Sequence, residues 1–364
     1  MFKKKKVLIM TATGSYNLWD EIILQEELKF LHGHYGEMVE FCIFTHDKKS
    51  ALFQDSSVGW ATYFPNNFWG NPLSNIFFLI HNIWKIARAD ILIVWWGGLV
   101  FDNEEGVSFE RLLNQWFFRT KVARLSGTTI VYLGISLEIK QVKHKMMLRK
   151  LFQKGDFIIV RDGKSAGLLD ALEIPCSQIP DIAFLYTPEK VEKLPNKRRV
   201  GISVRWGFFG DNEWEIIKIY DYLTTQWYDP VFLVHTTQGE ESQNDALFIK
   251  RIMTGRTYNT TNTIEQTLKL YPTLYAVVGM RLHAGILACI HGLPLIMISY
   301  GAKTEEFTDL IDNFDYTIPP QKLSLETFTK LWASLETNYD YRQEHMHERH
   351  KLIRAELITK LRTL

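Results

Sequence analysis

The segment from Ala276 to Lys303, AVVGMRLHAGILACIHGLPLIMISYGAK, constrains the fold more than any other stretch of the chain. A short apolar run, Ala276 to Val278, closes at Gly279, and a longer apolar run with small residues, Leu282 to Ile290, follows it. A Gly-Leu-Pro turn then opens a third run, Leu295 to Tyr300. Short runs punctuated by glycine and proline read as strands, and the longer one as a helix whose Ala284, Gly285 and Ala288 allow close packing on a sheet. Strand, helix and strand in succession make a parallel unit of an open α/β sheet. Ligands of such sheets bind outside the carboxyl ends of the strands, where helix N-termini present free N–H groups to anions. Arg281 and His283 fall at this strand-to-helix junction. Lys303 follows the next strand, so two successive junctions deliver cationic or protonatable groups to one edge. The set could hold and protonate an anionic ligand. It equally fits a helix-capping salt bridge beside an ordinary half-buried histidine, and the pattern alone leaves both open.

The same alternation runs through the rest of the chain. Val7 to Met10 leads through a glycine-bearing loop into an amphipathic helix with Ile22, Ile23, Leu24 and Leu28 on its buried side, and with Asp20 and Glu21 where the helix dipole favours carboxylates. Phe41 to Phe44, Ala89 to Trp96, Thr129 to Ile135 and Asp156 to Val160 read as further strands, the second of them ending at Gly97 and Gly98 with Asp102 beyond. The run from Asn75 to Ala89 is apolar almost all round, which predicts a buried helix, with lipid contact as the other reading. Thr187 to Arg199, rich in Lys, Glu and Pro, reads as an exposed linker. A second series follows, with strands at Val200 to Val204 and Val231 to His235 and helices at Glu213 to Tyr228 and Asn244 to Met253. The 364 residues, 46% of them hydrophobic, can fill two cores. The expected organisation is a doubly wound domain over 1–190, a second over 198–335, and a charged helix over 336–364 packing across both.

Several classes of function are disfavoured. A net charge of +1 from 42 basic and 41 acidic residues offers no field for nucleic acid. The three cysteines, Cys42, Cys176 and Cys289, are far apart and form no C-x-x-C pair, which implies a reducing compartment and no structural zinc. His345, His347 and His350 do not share one helix face, so no metal is expected there. Lys3 to Lys6 precede only four apolar residues, too few for a signal-peptide core, and no run approaches a membrane span. Neither a G-x-G-x-x-G after a strand nor a Walker A motif occurs. The G-x-S-x-G around Ser165 is separated from its strand by Arg161 and Asp162, which places the serine in a first helical turn rather than on a nucleophile elbow.

G-M-R-L-H-A, G-L-P-L-I and S-Y-G-A-K together resemble the C-terminal block of the polysaccharide pyruvyl transferase family, enzymes that place pyruvate ketals on bacterial cell-envelope glycans. Further blocks resembling that family occur in order: Asn17 with W-D-E-I-I-L, where Trp19 replaces a family glycine; Gly97 and Gly98, where Trp96 replaces the first glycine of a triplet; R-D-x-x-S at Arg161; I-P-D-I-A-F-L-Y from Ile179; and G-I-S-x-R ending at Arg205. The resemblance spans about Asn17 to Asp309. It implies two Rossmann-like domains facing a cleft in a GT-B-like arrangement. It also implies phosphoenolpyruvate as donor and co-substrate, no other cofactor, no metal, and a sugar acceptor on a glycan or lipid-linked precursor. On this comparison His283 is the general acid, Asp20 accepts or orients the acceptor hydroxyl, and Arg161, Arg281, Lys303 and Arg205 bind the donor. Asn17, Gly97 and Gly98 are candidate loop contacts. A cytoplasmic protein is expected, with peripheral membrane contact left open. Two rivals remain: a GT-B glycosyltransferase using a nucleotide sugar, and a glycan-binding relative without catalysis.

Overall fold

The short apolar runs pair in parallel, and they do so in two separate sheets. A computed structural model of the chain describes residues 4–11, 13, 17–45, 58–62, 72–95, 100–102, 109–153, 155–188, 198–209, 212–237 and 244–363. The chain divides into two units, one comprising Met1–Ser15 and Asp20–Ile182, the other Tyr16–Trp19 and Ala183–Leu364.

In the first unit, strands β1 (Lys5–Met10), β2 (Val39–Thr45), β3 (Gly59–Thr62), β4 (Ile91–Trp95), β5 (Val100–Phe101), β6 (Thr129–Ile135), β7 (Leu137–Glu138), β8 (Phe157–Val160) and β9 (Ser177–Gln178) alternate with helices. These helices are α1 (Leu18–Tyr35), α2 (Pro72–Ala87), α3 (Phe109–Leu125), α4 (Val142–Leu151) and α5 (Gly163–Asp170). Seven strands form one sheet in the order β3-β2-β1-β4-β6-β8-β9, while β5 and β7 pair separately. The central strands are buried because both faces carry Val, Ile, Leu or aromatic side chains, as a parallel sheet covered by helices requires. Helix α2 departs from expectation. It buries Asn82 and Ile86 but exposes Ile80 and Trp84, with the Arg88 guanidinium 4.8 Å from the Trp84 ring centre. An apolar composition all round had implied burial, whereas among the described side chains of the helix Ile80 and Trp84 are exposed.

Helix α1 buries Ile23, Leu24 and Leu28 as its amphipathic pattern predicts, and it also buries Glu27, which is 3% exposed. Neither Glu27 carboxyl oxygen has a hydrogen-bond partner among the described residues. Burial raises this carboxyl from 4.5 to about 8. The folded state therefore holds a proton that the unfolded chain releases, so stability falls as pH rises from 4.5 towards 8 and levels off above that. At about 1.4 kcal/mol per pH unit, the interval amounts to about 5 kcal/mol. Glu27→Gln, which keeps the shape of the neutral acid, is expected to be more stable than wild type by that order at pH 8.5 and nearly equal at pH 4.5. Urea unfolding at the two pH values measures this, and an equal gap at both would rule out the buried titration.

The second unit carries β10 (Arg199–Ser203), β11 (Asp229–Phe232), β12 (Asn259–Thr260), β13 (Ala276–Gly279), β14 (Leu295–Ile298) and β15 (Thr317–Ile318), ordered β12-β11-β10-β13-β14-β15 and all parallel. Its helices are α6 (Glu213–Thr225), α7 (Asp245–Ile252), α8 (Ile264–Leu270), α9 (Leu282–Ile290), α10 (Ala302–Leu310), α11 (Leu325–Thr337) and α12 (Tyr339–Arg362). Helix α9 is buried from Ala284 to Ile290. Gly285 makes that possible, since a Cβ there would lie 2.4 Å from Cε1 of Phe307 on α10. Within the charged tail α12 is a single helix, separated from α11 at Asn338. Helix α12 packs on α9, with the Cys289 thiol donating to the Met346 carbonyl at 3.6 Å. His345 and His350 each spend Nε2 on a backbone carbonyl, of Ile311 at 2.8 Å and of Phe184 at 3.2 Å, so both serve in attaching this helix to its own unit.

Candidate functional site

Both sheets reverse direction of strand order beside their first strand, between β1 and β4 and between β10 and β13. A doubly wound sheet opens its ligand crevice at that switch point, outside the carboxyl ends of the two strands. In the second unit the residues that emerge there are Arg205, two after β10, and Arg281 with His283, directly after β13. Three expected site residues thus reach one place because of strand order.

Arg281 is the residue preceding α9, in extended conformation. Its Nη2 donates to Thr236 Oγ1 at 2.9 Å and to Oδ1 of Asp245, forming an ion pair in which the Asp245 side chain is 1% exposed and that of Arg281 16%. Oδ2 of Asp245 accepts from the backbone amides of His235 at 3.0 Å and Thr236 at 3.2 Å. The salt-bridge reading is therefore realised, and it orients the guanidinium. Nε of Arg281 is buried without a hydrogen-bond partner among the described residues.

His283 packs face to face with Trp19, the ring centres 4.1 Å apart and the planes 19° from parallel. Trp19 is 3% exposed, and its indole Nε1–H donates to Nδ1 of His235 at 3.3 Å. His235 is fully buried, and burial together with the positive charges of Arg281 and His283 pushes its imidazole well below the ordinary 6.5. A neutral imidazole whose Nδ1 accepts carries its proton on Nε2, so Nε2–H donates to Tyr271 Oη, 3.2 Å away. Asn17 sets the start of this arrangement. It forms an antiparallel bridge with Thr236, and its Oδ1 accepts from the Trp19 amide at 3.2 Å, as an asparagine before a helix does. The Trp19 ring is part of a buried polar chain.

Arg205 Nη1 donates to Tyr300 Oη at 2.9 Å, with its guanidinium carbon 5.0 Å from the Phe208 ring centre. This bond ties the ends of β10 and β14 together. Lys303 is the second residue of α10, on the same carboxyl edge of the sheet.

The remaining expected residues belong to the first unit. Arg161 is ion-paired with Asp181 at 2.7 Å, both side chains nearly buried, and Asp20 is half-buried in the first turn of α1. Gly97 and Gly98 lie outside the described residues. Ser165 is buried as the third residue of α5 and accepts from the Leu137 amide at 2.7 Å, while Asp162 caps that helix through the Ser165 amide, so no elbow forms. Sequence reasoning missed His235, Thr236, Asp245 and Tyr271. Asp245 in the first turn of α7 reads merely as a dipole-favoured acid, and nothing in local spacing links it to Arg281.

The fold has parallels among solved structures. The UDP-GlcNAc 2-epimerase of Neisseria meningitidis, bound to UDP-GlcNAc, is 9% identical over 98% of this chain and 98% of its own, with a TM-score of 0.62. Anabaena HepE in complex with UDP and glucose is 13% identical over 99% of this chain and 100% of its own, with a TM-score of 0.59. The UDP-GlcNAc 2-epimerase of Methanocaldococcus jannaschii is 13% identical over 91% of this chain and 92% of its own, with a TM-score of 0.56. These likenesses define the fold class, an α/β protein of the GT-B type. No curated protein matches the chain in sequence. A family model described as polysaccharide pyruvyl transferase matches residues 20–302, and the chain belongs to that family. Among the described residues no helix is long and apolar enough to cross a membrane.

Proposed function

We propose that the protein transfers the pyruvyl group of phosphoenolpyruvate to a sugar bearing two suitably placed hydroxyls, forming a ketal and releasing phosphate. The observation that carries this reading is the first turn of α9, where a guanidinium oriented by Asp245 keeps a buried Nε–H without a hydrogen-bond partner among the described residues and an imidazole follows two residues later. Free amides at this helix start and the charges of Arg281, Arg205 and Lys303 suit the donor's carboxylate and phosphate. His283 gives a proton to the methylene carbon, and the oxygen of the first hydroxyl adds to the cationic C2. The C2–O bond to phosphate then breaks, and the second hydroxyl closes the ketal. Of the two hydroxyl protons, one replaces that given by His283 and the other leaves with phosphate. Asp20 accepts or orients the first, and Arg161 contributes to donor binding as the family resemblance implies. Positive charge fixed near the departing phosphate is a large part of the rate enhancement.

Thermal unfolding with phosphoenolpyruvate, inorganic phosphate or UDP-glucose tests the donor. A ligand that binds only the folded state stabilises it by about 2.7 kcal/mol at one hundred times Kd, so phosphoenolpyruvate is expected to raise Tm by several degrees, and more than phosphate does. A rise with UDP-glucose alone would replace this reading with nucleotide-sugar chemistry.

A further inference from the structure

We infer that Trp19 is a positioning residue for His283, holding the imidazole in one plane and favouring its protonated form; this rests on the reading of His283 as the proton donor. Three observations carry it. The two rings stack at 4.1 Å with nearly parallel planes, so rotation of His283 about its Cβ–Cγ bond would drive its edge into the indole. The indole is itself fixed, because Nε1–H is spent on His235 and the Trp19 amide on Asn17. The acceptor is fixed in turn, since His235 is buried and stays in a single neutral tautomer anchored by Tyr271.

The electrostatics point the same way. The groups near His283 include Arg281 two residues before it, Asp245 paired to that arginine, neutral His235 bonded to the indole N–H, and neutral Tyr271 bonded to His235. Arg281 disfavours a second positive charge, and Asp245 offsets part of that. An indole face is the best aromatic partner for a cation, and the interaction grows when water is excluded. Trp19 therefore opposes Arg281 and keeps the imidazole protonated nearer to neutral pH, where a general acid works best. A glycine at this position could supply neither the plane nor the π-face.

The test is an NMR titration of the histidine Cε1–H signals of the full-length protein, with His283 assigned by its disappearance in His283→Gln. Trp19→Leu is expected to lower the pH at which His283 titrates by about half a unit to one unit, and Trp19→Phe, which keeps an aromatic face but no N–H, to restore most of it. Trp19→Met serves in place of Trp19→Leu should that variant not fold. His283 titrating at the same or higher pH without the aromatic ring would overturn the inference. Phosphoenolpyruvate should still raise Tm in all three variants, since Trp19 does not bind it. Failure of the wild type to respond to phosphoenolpyruvate would instead strike the donor assignment, which the titration of the free protein does not use.

Discussion

His283→Gln is expected to reduce pyruvyl transfer by about 10²- to 10⁴-fold, the usual contribution of a positioned acid or base, while leaving the rise in Tm with phosphoenolpyruvate intact. Glutamine roughly preserves the reach and hydrogen-bonding character of the imidazole and can still lie against the Trp19 ring, but it has no proton to give at neutral pH. Binding and chemistry should therefore separate at this residue. Arg281→Ala is the contrasting variant. It removes the guanidinium whose Nε–H has no hydrogen-bond partner among the described residues, so the thermal response to phosphoenolpyruvate should disappear together with turnover. Phosphate release from phosphoenolpyruvate with a panel of glycan acceptors measures the first effect, and thermal unfolding the second. Equal turnover in His283→Gln and wild type would remove the histidine from the proton-transfer step. Loss of the thermal response in that variant would make it a binding residue instead.

The parts of this site legible in the sequence are those that depend on local order. Ala276 to Ile298 spells strand, helix and strand because apolar runs are short, small residues line the helix, and glycine and proline mark the turns; all three elements are found where that pattern places them. Once the unit is parallel, Arg281 and His283 must emerge at a carboxyl end. Their partners were not legible. His235 lies 216 residues from Trp19, and Asp245 lies 36 from Arg281 on a different βα unit. Hydrophobic periodicity records which face of an element is buried, not which buried polar group it meets. Trp19 shows the same limit in another form. At a glycine position it suggests a disrupted loop, yet an aromatic ring there packs on one histidine and hydrogen-bonds a second. Helix α2 shows that composition fails where neighbours decide, since Ile80 and Trp84 are exposed although every pattern favours burying them.

Asp245→Ala should be the most destabilising single change at the site. One carboxylate, 2% exposed, accepts from two backbone amides and from Arg281, so its removal orphans the buried His235 N–H and the part-buried Thr236 N–H and leaves a largely buried guanidinium without its counter-ion. Breaking a buried pair from one side costs about 3–5 kcal/mol. For a unit of this size, at about 2–4 °C per kcal/mol, the midpoint should fall by roughly 10 °C. Asp245→Asn retains an oxygen for the amides and loses mainly the charge, and it should fall by less. The exposed pair of Arg256 with Asp221, 2.7 Å apart, is the control. Solvent screens it and side-chain entropy opposes it, so Asp221→Ala should cost no more than about 1 kcal/mol. If Asp245→Ala and Asp221→Ala shift the midpoint alike, the carboxylate does not brace the site. Should the ordering hold, the acid that offsets Arg281's charge is also what gives that residue a fixed direction. An arginine left to itself would be a stronger cation on a mobile arm, whereas orientation is what a proton donor two residues away requires.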